Sequence, residues 1–270
     1  MNVPRHWARV SEGERTALGW SEQDPAEAER MARERLARLL ALGDGLPREW
    51  DYYPARAVKE EILEAPRIAE VTVLITRNGA GAEVLNTDRV AFVDIDVHER
   101  PSLLGSIGSL FRKRAPGPDP RETEALARAR GWVAEIRARL RVYRTAGGLR
   151  LLRTDALLDP AGDDCARMFA ALGADPQYAR LCKAQQSFRA RLTPKPRRVK
   201  CSAAPFDHPR TDPAARAAFA RWLERYERAC ADRAVCAFVE ELGVARALAP
   251  AQAVAALHDQ RTLRAGALLA

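Results

Sequence analysis

Glu70-Val71-Thr72-Val73-Leu74-Ile75-Thr76, the turn-forming Asn78-Gly79-Ala80-Gly81 and a second run from Arg89 to Val97 together decide the fold of this chain. β-Branched residues fit a pleated, half-buried surface, and an Asn-Gly step between apolar runs marks a strand end. The two runs are read as adjacent strands of one sheet. Further on, Leu126, Ala129, Val133, Ile136 and Leu140 fall on one helical stripe. A third strand, Arg141 to Arg144, turns at Thr145-Ala146-Gly147-Gly148 into a fourth, Leu149 to Thr154. The order β-β-α-β-β-α predicts an α+β protein: a mixed or antiparallel sheet of two hairpins with helices on it, palm-like or ferredoxin-like.

Before the first strand, Asp24-Pro25 supplies an N-cap and a first-turn proline, and Ala28, Ala32, Leu36 and Leu39 mark an apolar helix face up to Gly43. The aromatic Trp50-Asp51-Tyr52-Tyr53-Pro54 leads into Val58-Lys59-Glu60-Glu61-Ile62-Leu63, read as a loop and a short helix. Residues 1–66 are thus expected to be a helical or irregular segment packed on an α+β core at 67–205. Short helices are expected at Asp163 to Leu172 and Pro176 to Gln186. Asp212-Pro213 opens a long helix in a mainly helical C-terminal part, 206–270, and the whole is expected to form one domain.

Composition narrows the classes. No apolar run approaches the roughly 20 residues of a membrane span, and Met1 to Val10 lacks the apolar core of a secretory signal, so a cytoplasmic protein without membrane contact is expected. Five cysteines in no CxxC pair argue against a disulfide framework or a zinc knuckle. Net charge is +8, nearly all the positive charge being arginine. In an alanine- and arginine-rich chain that balance can follow genome composition, so its distribution says more than its sum.

Three constellations could carry chemistry. Asp94 and Asp96, two apart on a strand, project to one face. A divalent cation such as Mg²⁺ or Mn²⁺ would relieve their repulsion, with His98 and Glu99 as further candidate ligands; partner arginines such as Arg100 or Arg144 are the alternative. The Thr145–Gly148 turn, flanked by Arg144 and Arg150, could hold phosphate through backbone N–H groups and guanidinium forks, or be a plain hairpin. The stretch 176–206 contains no acid, yet carries Arg180, Lys183, Arg189, Arg191, Lys195, Arg197, Arg198 and Lys200. Ser187 to Leu192 alternates like a strand, sending Arg189 and Arg191 to one face, and Thr193-Pro194-Lys195-Pro196 holds the backbone extended. Such a strip suits a polyphosphate or a nucleic-acid backbone.

In this order the three resemble the motifs of the archaeo-eukaryotic primase (primase-polymerase) superfamily, over about residues 70–200. Phe92-Val93-Asp94-Ile95-Asp96 is similar to its two-acid strand, Thr145 to Arg150 to its small-residue turn, and Arg191-Leu192-Thr193-Pro194-Lys195 to its basic segment. Arg150 stands where the family has a nucleotide-contacting histidine. The resemblance implies metal-dependent nucleotidyl transfer, with Asp94 and Asp96 on Mg²⁺ or Mn²⁺. By order along the chain, Asp175 is the candidate third acid and Asp207 a poorer one. Thr145, Gly147, Gly148, Arg150, Arg189, Arg191 and Lys195 would meet nucleotide or nucleic acid. Two other readings stay open: a non-catalytic nucleic-acid-binding module, and a regulatory interaction protein whose basic strip is tied up by acids such as Asp163, Asp164, Glu240 and Glu241.

Overall fold

The turn at Asn78 is tight. The Asn78 side chain accepts from the N–H groups of Ala80 and Ala82, so the chain reverses at once and the next residues pair back. This local closure sets the topology in the computed structural model, which describes residues 1–41, 57–97 and 119–270. The first half of the chain contains β1 (His6–Glu12), β2 (Arg15–Ser21), α1 (Pro25–Ala41), β3 (Glu61–Glu64), β4 (Arg67–Ile68), β5 (Val71–Arg77), β6 (Glu83–Thr87) and β7 (Phe92–Asp96). Next come α2 (Pro120–Ile136), β8 (Leu140–Thr145), β9 (Gly148–Arg153), α3 (Asp163–Leu172), α4 (Pro176–Gln185) and β10 (Phe188–Arg191). The chain closes with α5 (Pro213–Cys230), β11 (Arg233–Ala234), β12 (Cys236–Leu242), α6 (Ala249–Thr262) and β13 (Leu268–Leu269).

The α+β class holds, with antiparallel main sheets and helices against them. Where one sheet was expected, the described strands form two main sheets and two small ones, β1-β2 and β11-β13. β5 pairs with β6, a strand between the Asn78–Gly81 turn and Arg89 to which the sequence reading assigns no element, and the first sheet runs β10-β6-β5-β3. The run read as its partner is β7, which lies at the end of a second sheet ordered β12-β8-β9-β7. Hydrophobic residues of both sheets form one continuous core that includes Ile75, Leu85, Phe92, Leu151 and Phe188. Trp132 of α2 meets one face of the second sheet through Arg153, while His258 of α6 packs on the other against Tyr143 and Phe92.

Three further expectations are corrected. The first 41 residues hold a β-hairpin as well as a helix: β1 and β2 lie against α1, and Gly19 fits there because a Cβ would come within 2.1 Å of the Ala28 carbonyl. Glu61–Glu64 is a strand rather than part of a helix, since Glu61 and Ile62 find ladder partners in Arg77 and Thr76. The C-terminal part has its helices, but it also returns β12 to the second sheet beside β8. The readings at Trp50 to Pro54 and at Gly43 lie outside the described residues. No described helix is long and apolar enough to cross a membrane.

Candidate functional site

Strand register brings the first two constellations together. β7 and β9 align Asp94 opposite Arg150 and Asp96 opposite Gly148. Cross-strand neighbours on one face lie close enough for a short side chain to meet a long one. Arg150 Nε donates to Asp94 Oδ1 at 2.8 Å and Nη2 to Oδ2 at 3.1 Å. The third nitrogen, Nη1, donates to the Arg191 carbonyl at 3.0 Å, joining the second sheet to β10 of the first. Arg150 is 2% exposed, whereas Asp94 keeps 29% of its side-chain surface open. Burial pushes the Asp94 carboxyl up, but the Arg150 guanidinium outweighs it and holds the pKa below the usual carboxylate value. His258 and Cys236 complete the surroundings of Arg150, with His258 Nε2 3.5 Å and Cys236 Sγ 3.9 Å from Nη1. Burial depresses the His258 imidazole to about 4, so it is neutral there.

Above this pair opens a small cleft. Asp94, Asp96, Thr145, Gly147 and Arg150 line it from the second sheet, and Arg191, Lys195 and Arg198 close it from the basic strip. All three constellations therefore meet in one place. Gly148 is required here: its φ is +153°, and a Cβ would fall 2.1 Å from the Ile95 carbonyl oxygen. A Cβ on Gly147 would lie 3.2 Å from an Arg198 guanidinium nitrogen and 3.7 Å from Asp96 Oδ1, which brings those two groups to the same rim.

The turn is satisfied from within. Thr145 Oγ accepts from the Gly147 N–H and donates to the Gly148 carbonyl, both at 3.2 Å. The Gly147 carbonyl accepts from the Val97 N–H. Its part in the site is to let the basic strip approach β7.

The cations differ sharply in how they are balanced. Among the described residues, Arg191, Lys195 and Arg198 make no side-chain hydrogen bond or ion pair. Burial, then repulsion from Arg150, brings Arg191 down to about 10. Burial, then Arg191 and Arg198, brings Lys195 down to about 8. Arg198 is lowered by burial and by Arg197. Elsewhere arginines are matched: Arg77 with Glu83, Arg141 with Asp259, Arg144 with Glu122 and Arg153 with Asp155. Three of the four acids considered as partners for the strip are engaged elsewhere, Asp164 with Arg167, Glu240 with Arg130 and Glu241 with Arg139, and the fourth, Asp163, lies in the first turn of α3.

Three candidates lie away from the cleft. Arg189 points to Glu60, with Nη2 2.6 Å from both carboxylate oxygens, and to Gln185. Asp175 caps α4 by accepting from the Gln177 N–H, and its own N–H reaches the Asp94 carbonyl, so it adjoins β7 without lining the cleft. Asp207 pairs with Lys59 at 3.0 Å. His98, Glu99 and Arg100 lie outside the described residues, among which no group of three or more His, Cys, Asp or Glu could hold a metal ion. Sequence reasoning gave Arg198 only as one cation of the acid-free stretch, and it did not place Tyr226 at the site. The Tyr226 hydroxyl donates to the Pro194 carbonyl at 2.6 Å and sits 2.8 Å from the Thr193 hydroxyl, fixing the segment that carries Lys195. Comparison of the chain with protein-family models, curated proteins and solved structures finds no match.

Proposed function

We propose that this protein binds a phosphate-bearing anion, the polyphosphate of a nucleotide or the backbone of a nucleic acid, in the cleft between β7 and the basic strip. The observation that carries this reading is that Arg191, Lys195 and Arg198 converge on one cleft and, among the described residues, make no ion pair of their own. Desolvated cations that repel one another raise the free energy of the empty site, and an entering anion relieves it. Guanidinium forks match phosphate oxygens, and Lys195 adds a point charge. The primase-like order of motifs supports the same ligand class.

A second reading, metal-dependent nucleotidyl transfer, is favoured by Asp94 and Asp96 lining that cleft together. Against it stands Arg150, which takes both Asp94 oxygens and fills the place of the family's histidine. A cation clamp would need that guanidinium displaced, so the residues fit an anion better than Mg²⁺ or Mn²⁺. Melting temperature measured with a nucleoside triphosphate, with and without Mn²⁺, separates the two, because a ligand of the native state stabilises by mass action. Anion binding predicts a rise that needs no metal, is lost in Arg191→Ala/Arg198→Ala and survives Asp96→Ala. A rise that requires Mn²⁺ and is lost with Asp96 would favour transfer. No rise near a millimolar in either condition would refute both.

A further inference from the structure

Among the described residues that line the cleft Lys195 is the one amine, and its setting differs from that of an ordinary surface lysine. Pro194 and Pro196 flank it, and Tyr226 pins the preceding carbonyl. Its side chain is half-buried and makes no ion pair among the described residues, while the cleft mouth remains open to solvent. Arg191 of β10 and Arg198 of the 3-10 turn Pro196–Val199 face it with like charge, with Arg197 also near. Asp96 of β7 is the carboxylate acting on it from the opposite wall, and Asp94 is occupied by Arg150. Guanidinium groups that would hold a phosphate therefore stand beside an amine that loses its proton easily.

Resting on the anion-binding reading, we infer that Lys195 is a site of acylation by small acyl phosphates, whose phosphate group docks on Arg191 and Arg198. The Nζ lone pair adds to the acyl carbonyl carbon. The C–O bond to phosphate then breaks, phosphate leaves with the electron pair, and the amine proton passes to solvent. The products are an amide at Lys195 and inorganic phosphate, with no redox change and no co-reactant. The amide is uncharged, so acylation removes one of the three cations and weakens the cleft for its anion. Burial and the neighbouring guanidiniums hold the amine at about 8, so a sizeable free-base fraction exists near neutral pH.

The test uses the intact protein and acetyl phosphate, with site occupancy at each lysine followed by peptide mass spectrometry. Lys195 should be acetylated at least about tenfold faster than the exposed Lys183 and Lys200, which do not line the cleft. Inorganic phosphate should slow the reaction at Lys195 alone. Acetic anhydride, which carries no phosphate, should still favour Lys195 but without protection by phosphate. Equal rates at Lys195, Lys183 and Lys200, or no protection from acetyl phosphate, would overturn the inference. Melting temperature with inorganic phosphate separates its failure from that of the underlying reading. A stabilised protein without selective acylation refutes the acylation site alone, whereas no stabilisation and no protection refute anion binding as well.

Discussion

Replacing Arg150 by methionine removes the partner of a carboxylate that the fold has taken largely out of water. Arg150 is 2% exposed and meets Asp94 through two nitrogens at 2.8 and 3.1 Å. Deleting one member of a buried ion pair costs about 3–5 kcal/mol, because the other charge is left uncompensated. The Arg191 carbonyl loses its donor from the other sheet as well. Two features pull the cost toward the low end: Asp94 keeps part of its surface in the cleft, and Arg191 acts on it electrostatically. The expected loss is about 3 kcal/mol, which in a chain of this size lowers the melting temperature by roughly 6–12 °C. Urea unfolding at neutral pH reads it directly. Adding Asp94→Asn to the variant removes the stranded charge and should recover at least about 1 kcal/mol. The pH dependence carries a sign. In the wild type the Asp94 pKa lies below its unfolded value, so the pair stabilises above that value and its contribution fades as pH falls through the folded pKa. In Arg150→Met burial is opposed chiefly by Arg191 and no longer by Arg150, so the Asp94 pKa rises relative to the wild type and the deficit should shrink on mild acidification. A loss under about 1 kcal/mol, or a double variant no more stable than the two single losses summed, would show that Asp94 and Arg150 do not act as a coupled pair.

The two turn glycines should behave differently: Gly148→Ala costs at least about 2 kcal/mol because φ and the Ile95 carbonyl both forbid a Cβ, whereas Gly147→Ala meets only the tip of Arg198 and stays within about 1 kcal/mol in urea unfolding. Lys195→Met should raise the melting temperature of the ligand-free protein while weakening triphosphate binding. Its effect on stability is largest at neutral pH: the unfolded lysine titrates near about 10.4 and the folded one near about 8, so the unfolded chain holds more protons between them and wild-type stability at this site rises with pH across that window. Affinity for a single-stranded oligonucleotide, followed by fluorescence anisotropy, should fall linearly with the logarithm of salt, and Arg191→Ala should lower the slope by about 0.7; an unchanged slope would place the backbone contacts elsewhere.

The parts of the fold that were legible are those fixed within a few residues. Asp212 caps α5 and Asp24 opens α1, as their Asp-Pro steps imply, because a cap is a local hydrogen bond. Strand existence was legible at β5, β7, β8 and β9, and β10 falls where the alternation at Ser187 to Leu192 put it, whereas β1, β2, β3, β6 and β12 were not foreseen. Pairing was not. β10 joins β6 across about a hundred residues, and β12 returns from the C-terminal part to flank β8, choices that depend on how whole surfaces pack. The site divides along the same line. Two residues apart on a strand do share a face, yet Arg189 and Arg191 meet different fates: a buried Glu60 captures the first, and the second is left at the cleft. Nothing near Asp94 in sequence announces Arg150, because only the β7–β9 register sets them opposite.

The arginine-rich composition does not explain the cleft. Where an abundance of arginine merely follows composition, folding should match each buried or half-buried guanidinium with an acid, and at Arg77, Arg139, Arg141, Arg144, Arg153 and Arg189 it does. The acid-free stretch 176–206 forces its cations to find partners from other elements. Arg189 succeeds with Glu60. Arg191, Lys195 and Arg198 meet the end of β7 and β9, where Asp94 is already neutralised by Arg150 and, among the described residues that line the cleft, Asp96 is one charge against three. Methionine or leucine at these positions would give a more stable apo protein by the same reasoning that predicts Lys195→Met to be stabilising. The fold instead keeps three desolvated positive charges around one small cavity and spends a hydrogen-bonded tyrosine, Tyr226, on holding one of them in place. Repulsion retained in the empty state is released only when negative charge enters, so the stability lost without ligand and the affinity gained with it are two readings of a single electrostatic term.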